Sequence, residues 1–232
     1  MADKPIIFSA PMILALLEGR KMQTRRVMKP KWRAGANESF SGWRAERVGP
    51  NHWQLVGGMG LGANITTPYA PGDRLWVRET WRPHYLGDGI WDLDISYAAD
   101  GELRRILDGE FGDKDWNWPK AADRGNVSPL FMPRWASRIT LTVTDVSVQR
   151  LRDMSDRDAI AEGIDHIETM DEIGWKNYAP NWPNLTFERP LPSFATLWNS
   201  IHGPEQFAEN PWVAAYTFTV QSGNIDQLEA VA

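Results

Sequence analysis

The feature that most constrains this chain is a period-two alternation of apolar and polar residues in short, separated runs. Ile139, Leu141 and Val143 alternate with Arg138, Thr140, Thr142 and Thr144 across residues 137–148, the pattern of a strand with one apolar face turned inward and one polar face turned outward. Residues 212–220 alternate as a last strand, and residues 5–8 form a short apolar first one. Residues 74–81 read as one strand, with Leu75, Val77, Glu79 and Trp81 on one face and Trp76, Arg78 and Thr80 on the other. Asp100-Gly101 is a hairpin turn between residues 95–98 and 103–106. Three short helices interrupt the strands. The first is capped by Ser9, carries Pro11 in its opening turn and stops at Gly19, with Met12, Leu16 and Leu17 as its apolar face and Ile13 flanking. The second opens on a capping-box variant, Ser155 to Asp158, and stops at Gly163. The third spans residues 193–202, with Phe194, Leu197, Trp198 and Ile201 on one stripe and Gly203 beyond its end. There is no strand–helix–strand rhythm, so the pattern predicts an α+β protein: a small closed β-barrel with short helices at its edge.

A length of 232 residues fits one decorated domain. The decoration falls in three polar, Gly- and Trp-bearing stretches near residues 31–70, 82–130 and 165–190, read as insertions; the first is an inserted hairpin or long loop. The domain runs over residues 1–220, and residues 221–232 read as a frayed, flexible tail.

Composition narrows the chemistry. With no cysteine there is no disulfide and no thiolate metal site, and the four histidines stand far apart without metal-ligand spacing. No metal and no cofactor are expected. No apolar run approaches the roughly 20 residues that span a bilayer, and the apolar N-terminal stretch is broken by Ser9 and Pro11 before Glu18-Gly19-Arg20-Lys21. A cytoplasmic protein with no membrane partner is expected; the oligomeric state is open.

Charge is unevenly spread. The formal net charge is −5, yet residues 18–33 hold Arg20, Lys21, Arg25, Arg26, Lys29, Lys31 and Arg33 against Glu18 alone, which is +6 locally and leaves −11 for the remainder. Such a run is either a solvated basic face or an anion-facing patch on an acidic body. The 13 tryptophans are mostly core material taken one by one, but Trp in polar loops also supplies stacking platforms for bases.

Three segments together resemble the ASCH domain family, small β-barrels of the PUA-like group that act on RNA, nucleotides or modified nucleosides. Gly19-Arg20-Lys21 followed by Gln23-Thr24-Arg25-Arg26 resembles that family's G-x-K-x-x-T-x-R segment. Residues 71–77, Pro-Gly-Asp-Arg-Leu-Trp-Val, resemble its G-D-x-L-x-V strand, and residues 151–163, with Ala159 and Glu162-Gly163, resemble its helix ending A-x-x-E. The stretch Met132-Pro133-Arg134-Trp135-Ala136-Ser137-Arg138 and the closing Asn210-Pro211-Trp212 look like a larger phage or prophage subgroup.

The small bacterial members include N4-acetylcytidine amidohydrolases with a Lys, Thr and Glu set. Residue by residue, the resemblance places these on Lys21, Thr24 and Glu162, which implies a catalytic role for each and their convergence on one site. It also implies a substrate-binding role for Arg26, which follows the threonine in the motif. Arg25, pointing the other way along an extended chain, is expected on the surface with Lys29, Lys31 and Arg33, yet is kept among the ligand-binding candidates. Glu79 joins them because a carboxylate on the face of Leu75 and Val77 needs an Arg partner or a site role; Trp76, Arg134 and Trp135 complete the set. Chemically, Thr24 offers a nucleophilic hydroxyl. Lys21 accepts its proton only as a neutral amine, and holding lysine neutral at pH 7 costs about 4–5 kcal/mol. Glu162 orients Lys21 or passes the proton to the leaving nitrogen.

Two functions follow. One is an amidohydrolase removing an acyl group from an N4-acylated cytidine-type nucleoside or base. The other is a non-catalytic module, or a ribonuclease, that grips RNA or a modified nucleotide. A small nucleoside is the favoured partner over a polymer, because the remaining charge of −11 repels a long backbone.

Overall fold

The computed structural model describes residues 2–36, 42–57, 60–84, 93–106, 125–168, 173–181 and 185–228. In chain order the first elements are β1 (Asp3–Ile7), α1 (Ala10–Leu17), β2 (Gln23–Val27), β3 (Lys31–Trp32), β4 (Arg44–Arg47), β5 (His52–Gly57) and β6 (Gly60–Thr66). Then come β7 (Arg74–Arg78), β8 (Trp81–His84), β9 (Leu93–Tyr97), β10 (Leu103–Ile106) and β11 (Ile139–Arg150). The last are α2 (Asp156–Ala161), β12 (His166–Glu168), β13 (Ile173–Lys176), β14 (Thr186–Phe187), α3 (Pro190–His202) and β15 (Trp212–Ser222). The class is α+β with strands predominating. Among the described residues the strands form open sheets, and no pairing closes one into a barrel.

The chain folds into two compact units, one made of residues 1–19, 73–142 and 219–232, the other of residues 20–72 and 143–218. In the first unit β1 pairs parallel with β7, Asp3 opposite Arg74 and Ile7 opposite Arg78, and β7 pairs antiparallel with β11. A meander of order β10-β9-β8 carries the core of this unit: Trp81, Leu93, Ile95, Tyr97, Ile106, Val127, Met132 and Ala136. Its hairpin is the Asp100-Gly101 turn read from the sequence; Gly101 takes φ +76°, and the Asp100 carboxylate accepts from the Glu102 N–H.

In the second unit β2 pairs antiparallel with β15, Thr24 opposite Tyr216 and Arg26 opposite Ala214. A four-stranded sheet has the order β3-β6-β5-β4 and a three-stranded one the order β12-β13-β14. Helices α2 and α3 pack on each other over Leu151, Met154, Ala159, Ile164, Phe194, Trp198 and Val213. The capping box is formed: the Ser155 hydroxyl accepts from the Asp158 N–H while the Asp158 carboxylate accepts from the Ser155 N–H. Gly163, at φ +85°, and Gly203, at φ +111°, end the two helices.

Several elements depart from the sequence reading. The stretch near 31–70, read as an inserted hairpin or long loop, holds β3 to β6, a four-stranded sheet in which β4, β5 and β6 pair as successive antiparallel hairpins. Parts of the stretches near 82–130 and 165–190 lie outside the described residues; the rest form β8–β10 and β12–β14. The strand expected over 74–81 breaks after Arg78, because the Glu79 N–H turns to the Met132 sulfur and the Ser137 hydroxyl takes the Val77 carbonyl. In α1 the buried face is Ile13, Ala15 and Leu16, and Leu17 is exposed. Arg138 and Thr140, read as outward, are buried. The physical reasons differ. The Arg138 guanidinium is drawn in by Glu79, Asp100 and Glu102. The C-terminal segment covers Thr140, whose hydroxyl donates to the Gly223 carbonyl at 3.0 Å, and the Gly223 N–H donates to the Arg138 carbonyl. That segment is therefore no frayed tail as far as residue 228. Strand β15 runs to Ser222, Asn224 donates to the carbonyls of Arg134, Trp135 and Ser137, and Ile225 is fully buried. Residues 229–232 lie outside the described residues.

Candidate functional site

Helix α2 is only six residues long, so its terminal carbonyls need donors from elsewhere. The segment before β2 supplies them in reverse order. Met22 N–H donates to the Ala161 carbonyl at 2.8 Å, Lys21 Nζ to the Glu162 carbonyl at 2.8 Å, and Arg20 Nη1 to the Gly163 carbonyl at 2.7 Å. This stitching brings together two residues 141 positions apart. Lys21 Nζ also donates to Glu162 Oε2 at 2.8 Å, with both side chains buried, 0% and 4% exposed.

The other carboxylate oxygen is occupied as well. Arg25 Nη1 donates to Glu162 Oε1 at 3.0 Å and to Gln23 Oε1 at 2.5 Å, and Arg25 Nη2 pairs with Asp158 Oδ1 at 3.4 Å. One carboxylate thus bridges a buried ammonium and a buried guanidinium. Arg25 is consequently not a surface residue; its side chain is 1% exposed. The correction has a simple cause. Strand alternation does send Arg25 and Arg26 to opposite sides, but the side facing Arg25 is covered by α2. Lys21 is likewise closed off from solvent. Burial pushes its ammonium below the usual lysine range, the Glu162 charge and hydrogen bond push back, and the positive Arg26 and Arg25 add to the effect of burial. Asp158 is kept below the usual carboxylate range, against its own burial, by the Ser155 N–H and hydroxyl and by the charge of Arg25.

On the reverse face of β2 stand Thr24, buried, and Arg26, half-buried. Tyr216 faces them from β15, and Tyr69 packs edge-on against Tyr216 at 5.1 Å between ring centres. Burial raises the Tyr69 and Tyr216 phenols, and burial lowers the His202 imidazole; Arg26 places its charge near all three. Among the described residues Thr24 makes no hydrogen bond to Lys21 or Glu162. The structure therefore brings Lys21, Glu162 and Arg25 into one cluster and sets Thr24 and Arg26 on the opposite face of β2.

The other candidates belong to the first unit. Glu79 has the arginine its position demanded: Arg138 donates to both of its oxygens, at 2.8 and 2.9 Å, while also bonding Asp100 and Glu102 and lying 3.9 Å over the Tyr97 ring. Burial raises the Glu79 carboxyl and Arg138 opposes it. Arg134 is committed to Asp3 and Asp226, Trp135 stands edge-on to Trp81 at 6.0 Å, and Trp76 is buried beneath the Arg78 guanidinium at 4.3 Å. Lys29, Lys31 and Arg33 are exposed. Sequence reasoning missed Asp158 and Gln23 as partners of Arg25. The capping box had marked Asp158, but only for the helix start.

No protein-family model matches the chain, nor does any curated protein or solved structure. The site must be judged on its own chemistry. Among the described residues no three His, Asp or Glu side chains gather as a metal site, and no helix is long and apolar enough to cross a membrane. What the cluster offers is a buried amine whose proton is loosened by its surroundings, held by a carboxylate that is itself held twice.

Proposed function

We propose that this chain is an ASCH-type, PUA-like protein that hydrolyses the amide of N4-acylated cytidine-type nucleosides. The observation that carries the reading is the Lys21–Glu162 pair. The residues that the motif marks as its Lys and Glu, far apart in sequence, share one ion pair at 2.8 Å in a desolvated setting. Burial and two neighbouring arginines favour the neutral amine that a general base requires.

In this reaction the Thr24 hydroxyl attacks the acyl carbon and gives its proton to Lys21 once substrate is bound, since the two groups share no hydrogen bond in the free protein. The C–N bond then breaks, and the cytosine amine leaves with a proton passed back from Lys21 and Glu162. Water hydrolyses the resulting Thr24 ester, which releases the carboxylic acid and restores the hydroxyl. Arg26, whose charge acts on Tyr69 and Tyr216, is the residue proposed to bond the base edge. The test is incubation of pure protein with N4-acetylcytidine and a panel of longer N4-acyl cytidines, with product followed by chromatography. Turnover that Thr24→Val abolishes supports the reading; binding without turnover of any acylated form refutes it.

A second reading has its own observation. Lys29, Lys31 and Arg33 are exposed directly after β2, and a basic patch of this kind suits the phosphate backbone of an RNA held without chemistry.

A further inference from the structure

The motif that marks Lys21 and Glu162 assigns no task to Arg25, yet Arg25 is buried beside Lys21 and bonds the same carboxylate. Its guanidinium reaches three acceptors: Gln23 on β2, Asp158 on α2 and Glu162, which caps the C-terminus of α2. Asp158 divides its oxygens between two tasks. Oδ2 accepts from the N–H and hydroxyl of Ser155, closing the helix cap, and Oδ1 faces Arg25. The start of α2 is thereby tied through Arg25 to the carboxylate at its end. A carboxylate in the last turn of so short a helix has free rotamers unless something holds it.

We infer that Arg25 is a positioning residue, whose guanidinium fixes the Glu162 carboxylate through Nη1 while Nη2 anchors it to Asp158, so that the carboxylate receives Lys21. Its charge beside the pair also favours release of the Lys21 proton. The inference rests on the amidohydrolase reading for its consequence in catalysis, but not for its structural part. The charged groups facing the pair are few. Arg25 and Arg26 come from β2 and Asp158 from α2; Arg20 pairs with Asp165 just beyond the helix at 3.2 Å, and Lys176 holds that same aspartate at 2.9 Å. With Lys21, Arg25 and Arg26 around Glu162 and Asp158, the inner cluster carries one surplus positive charge. Arg25 is the member of it that touches Glu162 directly without being the proposed base. A lysine at this position keeps the charge but cannot span Gln23, Glu162 and Asp158 at once.

The experiment titrates Lys21 itself, by NMR of protein labelled at the lysine ε-carbons, in wild type, Arg25→Gln and Arg25→Lys, alongside the pH profile of kcat/KM on N4-acetylcytidine. The Lys21 resonance is assigned by its loss in Lys21→Met. Expected is a Lys21 midpoint that moves to higher pH in Arg25→Gln and stays near wild type in Arg25→Lys. With it, the acid limb of the profile moves upward in Arg25→Gln, and kcat falls about 10- to 100-fold at nearly unchanged KM in Arg25→Lys. A Lys21 midpoint in Arg25→Gln equal to that of wild type overturns the inference. If Arg25→Gln does not fold, an Arg25→Lys protein with wild-type kcat overturns it instead. Failure of the wild type to cleave any acyl cytidine sinks the proposed reaction, and the NMR titration then decides the role of Arg25 by itself.

Discussion

Replacing Glu162 by glutamine tests the cluster most directly. The change removes one negative charge and keeps the shape. It leaves Lys21, with a fully buried side chain, facing Arg25 and Arg26. Two charge-assisted hydrogen bonds are weakened, from Lys21 at 2.8 Å and from Arg25 at 3.0 Å, and such bonds contribute about 1.5–3 kcal/mol each. Breaking a buried ion pair from one side costs about 3–5 kcal/mol. The loss is capped, because Lys21 can escape by releasing its proton at about 4–5 kcal/mol from an ordinary lysine at pH 7. The expected destabilisation is therefore about 3–5 kcal/mol at pH 7, read from urea unfolding followed by tryptophan fluorescence.

The pH dependence has a fixed sign. Lys21 in the folded variant binds its proton less tightly than in the unfolded chain, so the unfolded state carries more protons and the variant gains stability as pH rises. The gap to wild type should narrow between pH 7 and about 10. Lys21→Met should cost less, on the order of 1–2 kcal/mol, because Glu162 keeps Arg25. A Glu162→Gln protein within 1 kcal/mol of wild type at pH 7 would refute the argument that this pair is desolvated.

In the first unit, burial raises the Glu79 carboxyl, so its contribution to stability is greatest below the ordinary glutamate value of about 4.3 and is lost as pH rises through the folded value. Glu79→Gln should therefore gain on wild type as pH rises through that window in matched urea titrations; a constant difference speaks against it. For the polymer reading, oligonucleotide affinity should fall steeply with salt, and neutralising Lys29, Lys31 and Arg33 together should flatten the slope by about 2–3. If the ligand is a free nucleoside, salt and those three changes leave affinity unaltered in fluorescence titrations.

Much of the fold was legible because local chemistry decides it. The capping box of Ser155 and Asp158, the Asp100-Gly101 turn, the helix stops at Gly163 and Gly203 and the strand over residues 212–220 all depend on neighbours within a few positions, although Trp212 to Tyr216 are buried on both faces rather than alternately. The demand for an arginine beside Glu79 was legible too, because a carboxylate on an apolar face has no cheaper solution. Burial was another matter. Alternation reports polarity, and polarity predicts exposure only where nothing packs on the polar face. Thr140 went inward because Gly223 covers it, Arg138 because Glu79, Asp100 and Glu102 draw its guanidinium in, and Arg25 because α2 lies over its side of β2. The same holds for the site. The sequence by itself determined which residues are candidates for chemistry and that Lys21 and Thr24 lie three apart. Only the tertiary structure decided that Glu162 meets Lys21, that Arg25 holds the other oxygen, and that Thr24 stands on the opposite face of β2. Pairings across 141 residues are set by which segment supplies donors to the open carbonyls of α2, and no local pattern encodes that choice.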